Sequence, residues 1–286
     1  MRHRRRRSLV AVLVIIIAVA VIVAVIPRFV NRVILGRHWP TAEQVSIERI
    51  EHDGWGRLLE TYVSNKGEVD YAAWKAKPVD VRALDDYLAE LGRADTALPA
   101  SHEAVLAYWI NAYNALTVRG ILREYPTTSI RNHTRWFGYH IWRDFQLIVG
   151  EDRHSLEGIE HQILRSMGEP RIHFAIVCAS AGCPPLRDEA YVAERLEQQL
   201  AENAREFLRR PGNFRADAAA RRIYLSQILQ LFAGDFGPDQ SAILRAIAPY
   251  LPDDESRQLA ISGRVVVSYL EYDWSLNEQR AARTDR

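Results

Sequence analysis

Cysteine is scarce in this chain of 286 residues: there are two, Cys178 and Cys183. That excludes a framework of several disulfides and the paired Cys-x-x-Cys metal sites. No internal repeat and no low-complexity linker is present, which excludes a solenoid or a string of tethered modules. Acidic residues are missing from residues 1–37, which hold eight arginines. Removing those eight from the 37 basic residues leaves 29 against 36 acidic, so the rest of the chain is near −7. A surface of that sign argues against a nucleic-acid partner.

What is present begins with one long apolar run. Leu9 to Ile26 contains no charge over 18 residues and ends at Pro27. At 1.5 Å per residue it reaches about 27 Å, close to the hydrocarbon thickness of a bilayer. Five arginines precede it, so the expectation is a single-pass inner-membrane protein with its N-terminus in the cytoplasm and its C-terminal domain in the periplasm or outside. A cleaved signal peptide is the rival reading. The expected divisions are a basic tail over 1–8, a transmembrane helix over 9–27, a lead-in helix over 28–54, one body over 55–277 and a tail over 278–286.

Within the body, both cysteines and His173 fall inside the eleven residues 173–183. Phe174 to Val177 reads as a short buried strand, and Ala179 to Gly182 as the turn that leaves it. Pro184-Pro185 then forbids helix. A histidine and a thiol on a strand, with a second thiol on the following loop, is a common way to build a site. The pair could be a disulfide, a redox-labile pair or free thiols.

Helical spacing marks 42–65, 81–91, 101–125, 156–165, 190–208, 227–232, 242–250 and 255–260. Residues 69–74 read as extended, and 145–149, 221–225 and 264–274 as strands. The class is α+β, mostly helical with a small antiparallel sheet. Asn111 and Asn114 lie three apart on the longest helix, where unpaired amides would cost about 1–3 kcal/mol each. They either tie the helix to a loop or orient a catalytic group.

Tyr108-Trp-Ile-Asn-Ala-Tyr-Asn-Ala-Leu116, Ser155-Leu-Glu-Gly-Ile-Glu-His161, Ile172-His-Phe-Ala175, Cys183-Pro-Pro-Leu-Arg187, Asp235-Phe236 and Tyr272-Asp-Trp-Ser-Leu-Asn277 together resemble the bacterial domain of unknown function 547 family over about residues 55–277. That family looks related to papain-like and transglutaminase-like thiol hydrolases. The resemblance implies a core helix opened by the nucleophile and a histidine on a neighbouring strand. Asn111 stands where that nucleophilic cysteine would be, with Ala115 four later and His173 in the histidine's place.

The chemistry this suggests is a cysteine-dependent hydrolase or acyl transferase acting on peptide or amide bonds. Cys183 would be the nucleophile, with Cys178 the alternative thiol, His173 or His161 the base, and Asn111 an orienting group. Asn114, Glu160, Trp109 and Arg187 are candidate substrate contacts. The alternative is a non-enzymatic envelope module that binds a peptide, lipid or protein in the same groove. A metal site built from His133, His140, His154, His161, His173 and a cysteine follows no compact zinc spacing, and no cofactor is implied.

Overall fold

The computed structural model describes residues 14–16, 32–135 and 139–279. The longest helix organises it. Helix α4, His102–Glu124, starts where the Ser101 side chain accepts from the Ala104 amide, and it stops at Tyr125, before Pro126. Seventeen of its residues are buried, so it runs through the protein interior with neighbours on every side. Helices α1 (Asp53–Tyr62), α2 (Tyr71–Lys75) and α3 (Pro78–Leu91) precede it; α2 and α3 pack against it, with Asp85 paired to Arg119 and Lys75 donating to the Arg123 carbonyl, and α1 packs on α2 and α3. Trp55, Trp74, Tyr62 and Tyr87 stack among these helices. Short helix α5 (Ile141–Asp144) and α6 (Leu156–Gly158) follow, then α7 (Leu196–Arg209), α8 (Ile228–Leu231), α9 (Ala233–Phe236), α10 (Gln240–Ile247) and α11 (Asp254–Ile261).

The apolar side chains form two cores. The first surrounds α4. The second joins Phe207 and Leu208 of α7 to Leu229, Phe236 and Leu244. The segment 172–177 runs along the seam: Ile172, Ala175 and Val177 belong to the first core and Phe174 to the second.

The expected single antiparallel sheet is corrected to three small ones. Strand β1 (Val33–Leu35) pairs parallel with β4 (Phe145–Val149), which pairs antiparallel with β5 (Asp152–Ser155). Strands β2 (Val45–Ser46) and β3 (Ala94–Asp95) pair parallel. Strand β6 (Phe214–Asp217) pairs antiparallel with β7 (Arg222–Leu225), and β7 pairs parallel with β8 (Val266–Tyr269). The parallel pairings arise because β1, β2 and β8 each reach their partner from a distant part of the chain, and no hairpin joins them.

Other expectations change for local reasons. The strand foreseen over 174–177 does not form. Pro170 opens a 3₁₀ turn, Pro170–Phe174, and side chains take the backbone groups a ladder would need. Asn203 donates to the Phe174 carbonyl, and Asn114 holds Ala175 and Val177. The lead-in helix over 42–65 is broken into two 3₁₀ turns, β2 and α1. Residues 71–75 are helical, because the Asp70 side chain caps the Ala73 amide. Among the described residues no helix is long and apolar enough to cross a membrane, which corrects the expected fold class. Helix α4 is long enough, with 23 residues, but carries Glu103, Arg119, Arg123 and Glu124 and is a core helix. The segment 9–27 lies outside the described residues except for helical Val14–Ile16.

Candidate functional site

A cavity of about 300 Å³ opens at the seam between the two cores. Glu160, His161, His173, Cys178 and Cys183, all singled out in the sequence, line it together. They arrive from two elements. Ser155 caps α6 through the Gly158 amide, and the helix continues as a wider π-helical turn, Ile159–Leu164, that carries Glu160 and His161. The segment after Pro170 brings His173 and the cysteines.

Asn114 fixes that second segment. Its amide donates to the Ala175 carbonyl at 3.0 Å and its carbonyl accepts from the Val177 amide at 2.9 Å. Asn111 grips a different loop in the same manner, donating to the Tyr191 carbonyl at 2.8 Å and accepting from its amide at 3.0 Å. Both asparagines are therefore fully committed to backbone and lie off the cavity wall. Trp109 is buried edge-on against Tyr108 and His154. Arg187 pairs with Glu189 and Glu202 at a separate groove.

The cysteines are bonded to each other, and no free cysteine remains. The loop between them is held by the C-terminal segment as well. The Ala181 amide donates to the Ser275 carbonyl at 2.7 Å and the Gly182 amide to the Asp273 carbonyl at 2.9 Å. A Cβ at Gly182 would lie 2.9 Å from the Asp273 nitrogen, so glycine is required for this approach. Ala179 has a left-handed φ of 56°.

Tyr272, from the same segment, reaches over both sulfurs. Its hydroxyl donates to Cys183 Sγ at 3.0 Å and lies 3.1 Å from Cys178 Sγ and 2.8 Å from Ser180 Oγ. Burial holds the Tyr272 phenol above its ordinary pKa, so it stays a donor.

The two histidines are joined by an ion pair. Arg165 grips Asp235 through two bonds, of 2.6 and 2.8 Å, and Asp235 Oδ2 accepts from His173 Nε2 at 2.7 Å. Arg165 also donates to His161 Nδ1 at 3.1 Å, which places the His161 proton on Nε2. The Arg165 guanidinium, followed by His173, holds the Asp235 carboxyl down at about 2. Burial pushes His173 below the usual imidazole range, and this outweighs the opposing pull of Asp235. His173 also stacks on Phe232 at 4.0 Å. Burial pushes Glu160 up, although His161, the Tyr113 hydroxyl at 3.1 Å and Arg165 draw it down.

Trp142, Phe232, Tyr272 and Trp274 provide aromatic wall, and Glu157 adds a second carboxylate. No lysine or arginine lines the cavity among the described residues. His140 lines the cavity with His161 and His173, but no group of three or more His, Cys, Asp or Glu among the described residues is placed to hold an ion.

Asp235, Arg165, Tyr113, Ser180 and Tyr272 had no role assigned from sequence. Asp235 and Tyr272 stand within quoted motifs, but nothing in residue spacing connects them to His173 or the thiols, which lie 62 to 94 positions away.

Residues 98–208 match the model of a family described as "Protein of unknown function, DUF547". The match supports that family over a narrower stretch than the motifs implied. It contains Glu160, both histidines and both cysteines, and ends before Asp235 and Tyr272. No curated protein and no solved structure matches the chain. His173 stands on a 3₁₀ turn and not on the strand that the likeness to papain-like and transglutaminase-like enzymes implied.

Proposed function

We propose that this protein is a binding module working outside the cytoplasm, and that its seam cavity takes a ligand with a cationic head on an apolar body. One observation carries the reading: aromatic rings and two carboxylates line the cavity, with no lysine or arginine among its described walls. Ammonium groups are attracted to aromatic faces, by about 0.5–2 kcal/mol depending on desolvation. A buried carboxyl such as Glu160 gains a counter-ion when such a group enters. Arg165, which lies over the Phe232 ring, is neutralised by Asp235 and does not repel the ligand strongly. The disulfide supports an oxidising compartment.

The bonded sulfurs also favour binding over hydrolysis, since neither is a thiolate available for attack. Thiol hydrolysis of a peptide or amide substrate by the reduced protein is the second reading. The observation favouring it is the Arg165–Asp235–His173 chain, which supplies a base and its orienting carboxylate on the same cavity as the sulfurs.

The test is a fluorescence titration of the full chain with choline and with its uncharged isostere, 3,3-dimethyl-1-butanol. Choline is expected to bind about tenfold or more tighter, the value of roughly 1.4 kcal/mol. Glu160→Gln should remove most of that preference. Equal binding of the two probes overturns the cationic ligand, and binding of neither overturns the module reading. Cleavage of a peptide ester only after reduction, lost in His173→Ala, would establish the second reading.

A further inference from the structure

We propose that Cys178–Cys183 is an exchangeable disulfide that oxidises dithiols, with Cys178 the sulfur attacked and Cys183 the leaving thiolate. The two sulfurs differ in the ways such a division requires. Both line the cavity, but Cys178 is half-buried whereas Cys183 is 3 % exposed. Cys183 Sγ has the Cys178 amide at 3.0 Å and the Tyr272 hydroxyl at 3.0 Å, while Cys178 Sγ has hydroxyls alone, those of Ser180 and Tyr272 at 3.1 Å each, so the fixed backbone donor is what sets Cys183 apart. A disulfide sulfur is a weak acceptor and gains little from them. A thiolate at the same place would accept two charge-assisted bonds. The Ser180 hydroxyl, 2.8 Å from the Tyr272 oxygen, can donate to it and strengthen the phenol as a donor. Burial works in the opposite direction by disfavouring the charged form. The donors are placed to offset that penalty at the one sulfur least open to water.

The surrounding backbone makes breaking the bond affordable. The loop is tied to residues 273–277 by three hydrogen bonds, from the amides of Ala181, Gly182 and Asn277. The closed ring spans a separation of five residues, so it constrains the unfolded chain only modestly. Reduction therefore leaves both sulfurs where the fold put them.

The exchange balances as follows. A substrate thiolate attacks Cys178 Sγ, a bond forms between those sulfurs, and the Cys178–Cys183 bond breaks with its electron pair remaining on Cys183. The second substrate thiolate then attacks the substrate sulfur of the mixed disulfide and expels Cys178. The dithiol has lost two electrons and two protons: the cysteine pair has gained the two electrons, and the protons pass to solvent or to the new cysteine thiolates. This chemistry does not require the cationic ligand proposed above, although both use the same cavity.

The full chain is equilibrated with reduced and oxidised glutathione, quenched with iodoacetamide and mapped by mass. Glutathione should be found on Cys178 and the alkyl group on Cys183. Tyr272→Phe should move the equilibrium about tenfold toward the disulfide and raise the Cys183 pKa by about one unit, read by thiolate absorbance. Ser180→Ala should move both in the same direction by less, and serves as the second variant if Tyr272→Phe unfolds. Glutathione on Cys183, or equilibria that neither variant moves by as much as twofold, would overturn the proposal. Reduction of the wild type by a peptide dithiol, at a rate well above that of a linear Cys-x4-Cys peptide, is the expected activity; equal rates would overturn it too.

Discussion

Replacing Asn114 by leucine removes one side chain and strands two backbone groups. The Ala175 carbonyl and the Val177 amide are buried at the seam, and Asn114 is the partner of both. Leucine keeps the branching of asparagine and leaves no cavity, but its two methyls are bulkier, so a packing cost adds to the polar loss. Each unpaired buried group costs about 1–3 kcal/mol, and the added apolar contact returns part of this. The net expectation is about 3 kcal/mol, a large fraction of the 5–15 kcal/mol typical of a folded domain. Urea denaturation at 25 °C measures it, provided both proteins unfold in one transition. Asn111→Leu is the control, because it strands the same two kinds of group, at Tyr191. The two variants should lose similar stability. Asn114→Leu alone should alter choline binding and cysteine accessibility, since Asn114 holds the segment between His173 and Cys178. A loss below 1 kcal/mol in either variant would refute the energetic reasoning. Equal disturbance of the cavity by both would refute the division of labour.

Two further outcomes follow from the site. Asp235 has a folded pKa of about 2, below its ordinary value of 3.8, so its ion pair contributes stability that is complete above pH 4 and is lost as the pH falls toward 2. Asp235→Asn should flatten that part of the stability–pH curve in acid titrations followed by circular dichroism; an unchanged slope between pH 4 and 2 would count against the pair. Gly182→Ala places a Cβ against the backbone of Asp273, so it should release the C-terminal segment and cost about 1–3 kcal/mol, with faster reduction of the disulfide by dithiothreitol. Unchanged stability and reduction rate would show that the close approach does not hold.

Much of the helical architecture was legible in the chain. Ser101 and Pro126 bound α4 because a cap and a missing amide act locally. Ser155 starts α6 for the same local reason. The pair Asn111 and Asn114 was recognisable as needing partners, and both reading directions were open until the partners were seen to be backbone. The strand expected after His173 failed because its hydrogen bonds go to Asn114 and Asn203, and period-two reasoning contains no term for distant side chains. Strands β2 and β3 have two residues each, too short to show any alternation. On a regular helix neighbours such as Glu160 and His161 project about 100° apart; here a π-helical turn carries both, and both line the one cavity. Tyr272 and Asp235 were invisible as site residues because contacts between remote segments leave no mark on local composition.

The tyrosine that covers both sulfurs lies 94 residues beyond Cys178. Ribosomes add roughly 5–20 residues per second, so about 5–20 s separate the emergence of the thiols from that of their cover. During this interval the nascent chain presents two naked cysteines to whatever oxidants its surroundings contain. The time at which they pair therefore depends on the order of synthesis as well as on the finished architecture.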